Sequence, residues 1–229
     1  MSCDLETVIA EGPVFRIARA PEPWAWPDWS QAGLDGTFGN RWDDPDGSYR
    51  VLYASSTRFG ALIEMLAPFR PDLALVAGLR EIDGESDSIE AGTVPREWFE
   101  HRLIGVAELV GTFADIGAAA SLSLVRFRLA ARAIHYGLAD IDAAAIRITA
   151  PRGFTQDVSR LVYECTTAED QSLAGIRYQS RLDDRTSNWA IFEPAPGSSW
   201  PLRSLDVEPL EPDDPDVTRA LAVLGLRVG

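Results

Sequence analysis

Between residues 36 and 64 the chain gathers side chains of unlike chemistry: Arg41 and Trp42 in a turn dense in Gly and Asp, Tyr53 in RVLYA, and Glu64 in ALIEMLAP. A guanidinium is a planar fork of donors that matches phosphate or carboxylate oxygens. A carboxylate can hold a proton or offset positive charge that develops on a substrate. A phenol is an aromatic wall with a polar tip. Each residue also has a plain alternative. Arg41 could pair with Asp43 or Asp44, Tyr53 could be a core aromatic, and Glu64 could lie on the polar stripe of a helix. Glu64 stands out because apolar residues flank it, so it faces solvent or is buried against a partner. Other chemistry is poorly supplied. His101 and His135 are the only histidines. Neither has a Cys, His or acidic partner at ligand spacing, so no metal is expected. No Gly-x-Ser-x-Gly elbow occurs and no Cys pairs with a His. Cys165 reads as a buried small hydrophobe.

These residues need elements to position them. VFRIA (14–18) and RVLYA (50–54) alternate as strands. Thr57–Leu66 reads as a helix, with Ser55, Ser56 or Thr57 as cap and Pro68 beyond its end. Leu73–Ile82 is expected to be extended, and Leu103–Gly111 a strand or two. Ser121–Tyr136 is a helix ending at Gly137. Asp142–Ile148 is a short helix, and Thr155–Cys165 a helix capped by Thr155. Gly175–Ser180, Asn188–Glu193 and Ser204–Val207 are extended, and Asp214–Leu226 closes the chain as a helix. PEPWAWPDWSQAG (21–33) holds three of the seven Trp residues, so this loop is expected to pack down. Strands and helices interleave without a βαβ rhythm or a Gly-x-Gly-x-x-Gly turn. That predicts an α+β domain of small mixed sheets flanked by helices, one domain over residues 1–229.

Composition narrows the partners. The chain has 229 residues, enough for a sizeable core without staples, and a net charge of −14. That charge opposes direct binding of duplex nucleic acid. All 21 cations are Arg, which rules out a Lys-dependent mechanism. Cys3 and Cys165 are the only thiols, too few for a disulfide scaffold. The first residues lack the cationic start and apolar run of a secretory signal, and no stretch suits lipid. A cytoplasmic protein in a reducing compartment is the expectation.

The string GTFGNRW…YRVLYASSTRFGALIEML resembles the core of the RES domain family, named for an Arg, a Glu and a Ser. VFRIA resembles the family's first strand. TQDVSRLVYE and GIRYQSR resemble its late helix and its Gly-Ile-x-Tyr-x-Ser element. The resemblance covers about residues 14–195, with 21–33 as an insert and the chain from about 200 as an extension. It implies a fold like that of ADP-ribosyltransferases. It also implies a toxin that degrades NAD by hydrolysis or phosphorolysis of the nicotinamide–ribose bond, with NAD as substrate and no further cofactor. Transfer of ADP-ribose to a protein or nucleic acid is the alternative, and a non-catalytic nucleotide- or partner-binding domain the second. The implied partner is a helix-turn-helix antitoxin, and a homodimer is possible. Carried over, the site is Glu64, Arg41 and Tyr53 for catalysis, with Arg16, Arg41, Tyr53 and Ser180 binding substrate. Trp42 is expected to be structural, and Asn40 and Tyr178 are candidate pocket walls. Asn40 replaces the second Gly of the family's Gly-Gly-Arg-Trp turn, and DDPDG (43–47) adds acids where phosphates would pass.

Overall fold

A computed structural model describes residues 3–74, 76–78, 92–148 and 150–229. In chain order the elements are β1 (Thr7–Val8), β2 (Pro13–Arg19), β3 (Val51–Ser55), α1 (Arg58–Leu66), β4 (Gly92–Val94), α2 (Arg96–Glu100) and β5 (Arg102–Leu109). Then come β6 (Phe113–Asp115), α3 (Ala119–His135), α4 (Ala143–Arg147), α5 (Arg152–Glu164), β7 (Gly175–Gln179) and β8 (Ser187–Phe192). The chain closes with β9 (Leu202–Pro209), α6 (Pro215–Leu224) and β10 (Leu226–Val228). Eight strands form one sheet in the order β1-β6-β7-β8-β3-β2-β5-β9, while β10 and β4 pair separately. The β6–β7 and β4–β10 pairs are parallel and the rest antiparallel. The fold is α+β, as expected, but its main sheet is one large sheet rather than several small ones.

Period-two alternation decides which side chains face which layer. On β8, Ala190 and Phe192 join the core that holds α5. Trp189 and Ile191 face the other way, beside Val14, Trp24 and Leu52. A third cluster joins Ile17 and Ile104 of the sheet to Leu62 and Leu66 of α1 and Val217 and Leu221 of α6. The Trp-rich loop packs down: Trp24 is buried, and a Cβ at Gly105 would come within 2.5 Å of its indole nitrogen. Glycine is needed there because the indole lies against the backbone of β5.

Helix α1 carries Glu64, and its ends are well defined. The Thr57 side chain accepts the Gly60 N–H at 2.9 Å. A Cβ at Gly60 would stand 2.3 Å from Ser55 Oγ, so only glycine lets the first turn sit on β3. Arg58 ties this helix to the C-terminal region, pairing with Glu208, with Asp214 at 2.5 Å and with Asp216 at 3.6 Å.

Several expectations are corrected. Residues 73–74 and 76–78 are helical rather than extended, and 75 and 79–82 lie outside the described residues. Helix α5 starts at Arg152 behind Pro151, so Thr155 is an interior residue whose hydroxyl donates to the Arg152 carbonyl at 3.0 Å, not a cap. Cys165 is fully buried but is no lone hydrophobe: it forms a disulfide with Cys3, 162 residues away in sequence. Among the described residues no helix is long and apolar enough to cross a membrane.

Candidate functional site

The turn at 39–42 sits between two supports. From α5, Arg152 donates to the Gly39 carbonyl, Gln156 Nε2 to the Asn40 carbonyl at 3.1 Å, and Ser159 Oγ to the Trp42 carbonyl at 2.6 Å. From β3, Tyr53 places its hydroxyl under the turn. That oxygen accepts the Trp42 N–H at 3.0 Å and donates to Asp43 Oδ1 at 3.0 Å. Burial, with the charge of Asp43 beside it, holds the Tyr53 phenol protonated well above its ordinary range. Tyr53 is thus a fixed support of the turn.

The acids that follow the turn are inward-facing. Asp43 is 3% exposed and accepts the Asn40 N–H at 2.6 Å through its other oxygen. Burial raises its pKa, and those hydrogen bonds oppose the rise. Asp44 is 1% exposed and takes the Ser48 N–H and Arg160. Both carboxylates are engaged within the fold, so the acidic string is part of the turn's own bonding.

Arg41 is held as a cation between rings. Its guanidinium carbon lies 5.1 Å from the centroid of Trp42 and 5.3 Å from that of Tyr178. Trp42 is fully buried, matching the structural role expected of it. Nε and Nη2 of Arg41 are buried and have no hydrogen-bond partner among the described residues. Burial lowers its pKa, while nearby Tyr178 and Glu64 oppose that change. Leaving buried guanidinium donors unpaired is costly to the fold.

Glu64 reaches from α1 over the ends of β7 and β8. Ser180 Oγ donates to its Oε1 at 2.7 Å, and Asn188 Nδ2 donates to the same oxygen at 2.8 Å. Ser180 and Asn188 are 0% and 2% exposed. The Ser180 hydroxyl itself accepts the N–H groups of Leu182 at 3.0 Å and Asp183 at 3.3 Å. Its lone pairs are therefore occupied and its one proton is directed at Glu64. Glu64 and Arg41 interact through their charges without forming an ion pair, since no N···O contact between them falls within 4.0 Å. Oε2 of Glu64 has no hydrogen bond among the described residues.

Arg16 is placed differently. Nε donates to the Pro23 carbonyl at 2.8 Å and Nη1 to the Tyr53 carbonyl at 2.9 Å. Strands β2 and β3 are in register only at Phe15 and Ser55. The guanidinium bridges them where their ladder has ended and pins the Trp-rich loop. Burial pulls its pKa down to about 10, so it remains a cation at neutral pH. The structure thus brings Arg41, Glu64, Ser180 and Tyr178 together with Tyr53 beneath. It leaves Asn40 as backbone anchor of the turn and Arg16 on backbone carbonyls.

The family model for the RES domain matches residues 13–207. The chain belongs to the RES domain family. No curated protein and no solved structure shows a significant match to it. In this RES domain Arg41, Glu64 and Ser180 lie together, Ser180 bonded to Glu64 and Arg41 within reach of its charge. Asn188 escaped the sequence reading. Its only signal there was a polar residue opening the apolar run NWAIF. No group of three or more His, Cys, Asp or Glu among the described residues could hold a metal. A surface concavity of about 250 Å³ lies beside Asp115, Arg147 and Arg177, and none of Arg41, Glu64, Ser180 and Asn188 lines it. Its cations are already paired, Arg177 with Asp115 at 2.6 Å and Arg147 with Asp184 at 2.7 Å.

Proposed function

We propose that this RES domain cleaves the nicotinamide–ribose bond of NAD, passing the ADP-ribosyl group to water or phosphate. The observation that carries this reading is the pairing of a doubly held Glu64 carboxylate with the desolvated, partly unpartnered guanidinium of Arg41. Breaking that bond gives an oxocarbenium-like sugar, as in glycoside cleavage. Nicotinamide leaves as a neutral ring, so its departure needs no general acid. The protein must fix the substrate's anionic part and stabilise positive charge on the ribose. Arg41 suits the first task, with free donors directed by the rings of Trp42 and Tyr178. Glu64 suits the second, because Oε2 can meet ribose hydroxyls or orient the attacking water or phosphate while Oε1 is held. Ser180 orients Glu64, and Tyr53 keeps the Arg41 turn in place. Arg16 supports the site from behind.

As the toxin of a toxin–antitoxin pair, the chain would meet a basic helix-turn-helix antitoxin that carries the DNA contacts. Its net charge of −14 supports that pairing through complementary fields.

The test is NAD consumption by purified protein with and without phosphate, beside Glu64→Gln. The expected result is loss of NAD with release of nicotinamide and of ADP-ribose or its phosphate. Turnover should fall by about 100-fold or more in the variant. Label from NAD appearing on a macromolecule would replace water or phosphate as acceptor. NAD bound but intact would leave a non-catalytic domain.

A further inference from the structure

We propose that Asn188 is the positioning residue of Glu64: together with Ser180 it pins Oε1, so that Oε2 alone is presented to the substrate. The inference deepens the NAD-cleavage reading and rests on it for what Oε2 meets. The holding itself rests on geometry alone.

Asn188 sits on β8, in register with Ser55 of β3 on one side and Tyr178 of β7 on the other. It is 2% exposed. Its Nδ2 donates to Glu64 at 2.8 Å, whereas its Oδ1 is buried with no hydrogen-bond partner among the described residues. A buried amide with an orphan acceptor weakens a fold, and an apolar side chain of like volume would pack there without that cost. What the amide contributes is therefore the proton it gives to Glu64.

The two donors differ in kind. Ser180 points its proton at Glu64 because two backbone N–H groups occupy its oxygen. Asn188 comes from another strand and fixes the carboxylate from a second direction. Both can only donate to Oε1. The charge of Glu64 reaches the Arg41 guanidinium, from the turn, and the Tyr178 phenol, from β7. Neither hydrogen-bonds it among the described residues, so orientation falls to Ser180 and Asn188.

Three readouts on the full chain test this: thermal stability, steady-state NAD kinetics, and a pH titration of the Glu64 carboxyl by 13C NMR. The Glu64 signal is identified by its loss in Glu64→Gln. Asn188→Leu is expected to keep or raise Tm while lowering kcat roughly 10- to 100-fold, with KM changed little. Asn188→Asp is expected to raise the titration midpoint of Glu64, and the acid limb of kcat, because a second carboxylate then faces it. Wild-type kcat in Asn188→Leu, or an unmoved Glu64 midpoint in Asn188→Asp, overturns the proposal. Should Asn188→Leu fail to fold, the midpoint in Asn188→Asp decides. Should the wild-type protein leave NAD untouched, the proposed function falls, and the carboxyl titration still decides whether Asn188 holds Glu64.

Discussion

Two arginines of this chain show how one side chain can be used in opposite ways. Arg16 gives its donors to the carbonyls of Pro23 and Tyr53, and Arg41 keeps Nε and Nη2 unused. Their substitutions should separate. Arg16→Leu strands two carbonyls and loosens the β2–β3 junction, with an expected loss of about 3 kcal/mol in urea unfolding. Arg41→Leu removes a desolvated cation, so stability should hold or rise by about 1 kcal/mol while NAD consumption collapses. If Arg41→Leu unfolds the protein as Arg16→Leu does, the guanidinium is structural and the anion site is misplaced. Both were expected to bind substrate, and Arg41 also to serve catalysis, because a residue type reveals its donors but not what they will meet. Glu64 was legible as an acid in an apolar run, and Arg41 and Ser180 through their motifs. Asn188 was not, since its work depends on an amide facing a helix that lies 124 residues earlier.

At the scale of elements, α1 is clamped from the far end of the chain. Arg58 opens it and meets Glu208, Asp214 and Asp216, carboxylates of β9, of the α6 cap and of the first turn of α6. These groups are partly exposed, which screens them. Arg58→Ala is therefore expected to lower stability by only about 1 kcal/mol, or about 3 °C in Tm, with a smaller difference in high salt. A calorimetric scan at two salt concentrations checks both parts. Strands β2, β3 and β8 and helix α1 were legible because alternation or capping runs long enough to be read. Strands β1, β4, β6 and β10 have two or three residues each, too few to show a period. Helix α5 was placed three residues late because Thr155 looked like a cap, while the chain enters the helix directly after Pro151.

At the scale of the whole molecule, the Cys3–Cys165 bond joins the chain's start to the end of α5. Closing so long a loop restricts the unfolded chain and contributes about 2–5 kcal/mol. Reduction, or Cys3→Ser, should lower Tm accordingly and leave the Glu64 site formed. Mass spectrometry of unreduced protein should find the chain lighter by two hydrogens. An identical Tm with and without reductant would show the bond to be unimportant. Counting cysteines could not reveal it, because two thiols carry no spacing pattern. Only the fold brings their backbones together. The α+β class was legible from interleaved elements, but the joining of eight strands into one sheet depends on long-range register that local pattern does not encode.

The way Glu64 is held also sets an order in time. During synthesis the carboxylate leaves the ribosome 116 residues before Ser180 and 124 before Asn188. The helix that carries it waits longer still for α6, which packs against it. An unfinished chain thus has the acid but neither of its two donors, and its Arg41 turn lacks α5 until Ser159 is made. Whatever this site does, a truncated product ending before β8 is expected to lack the Asn188 donor to Glu64.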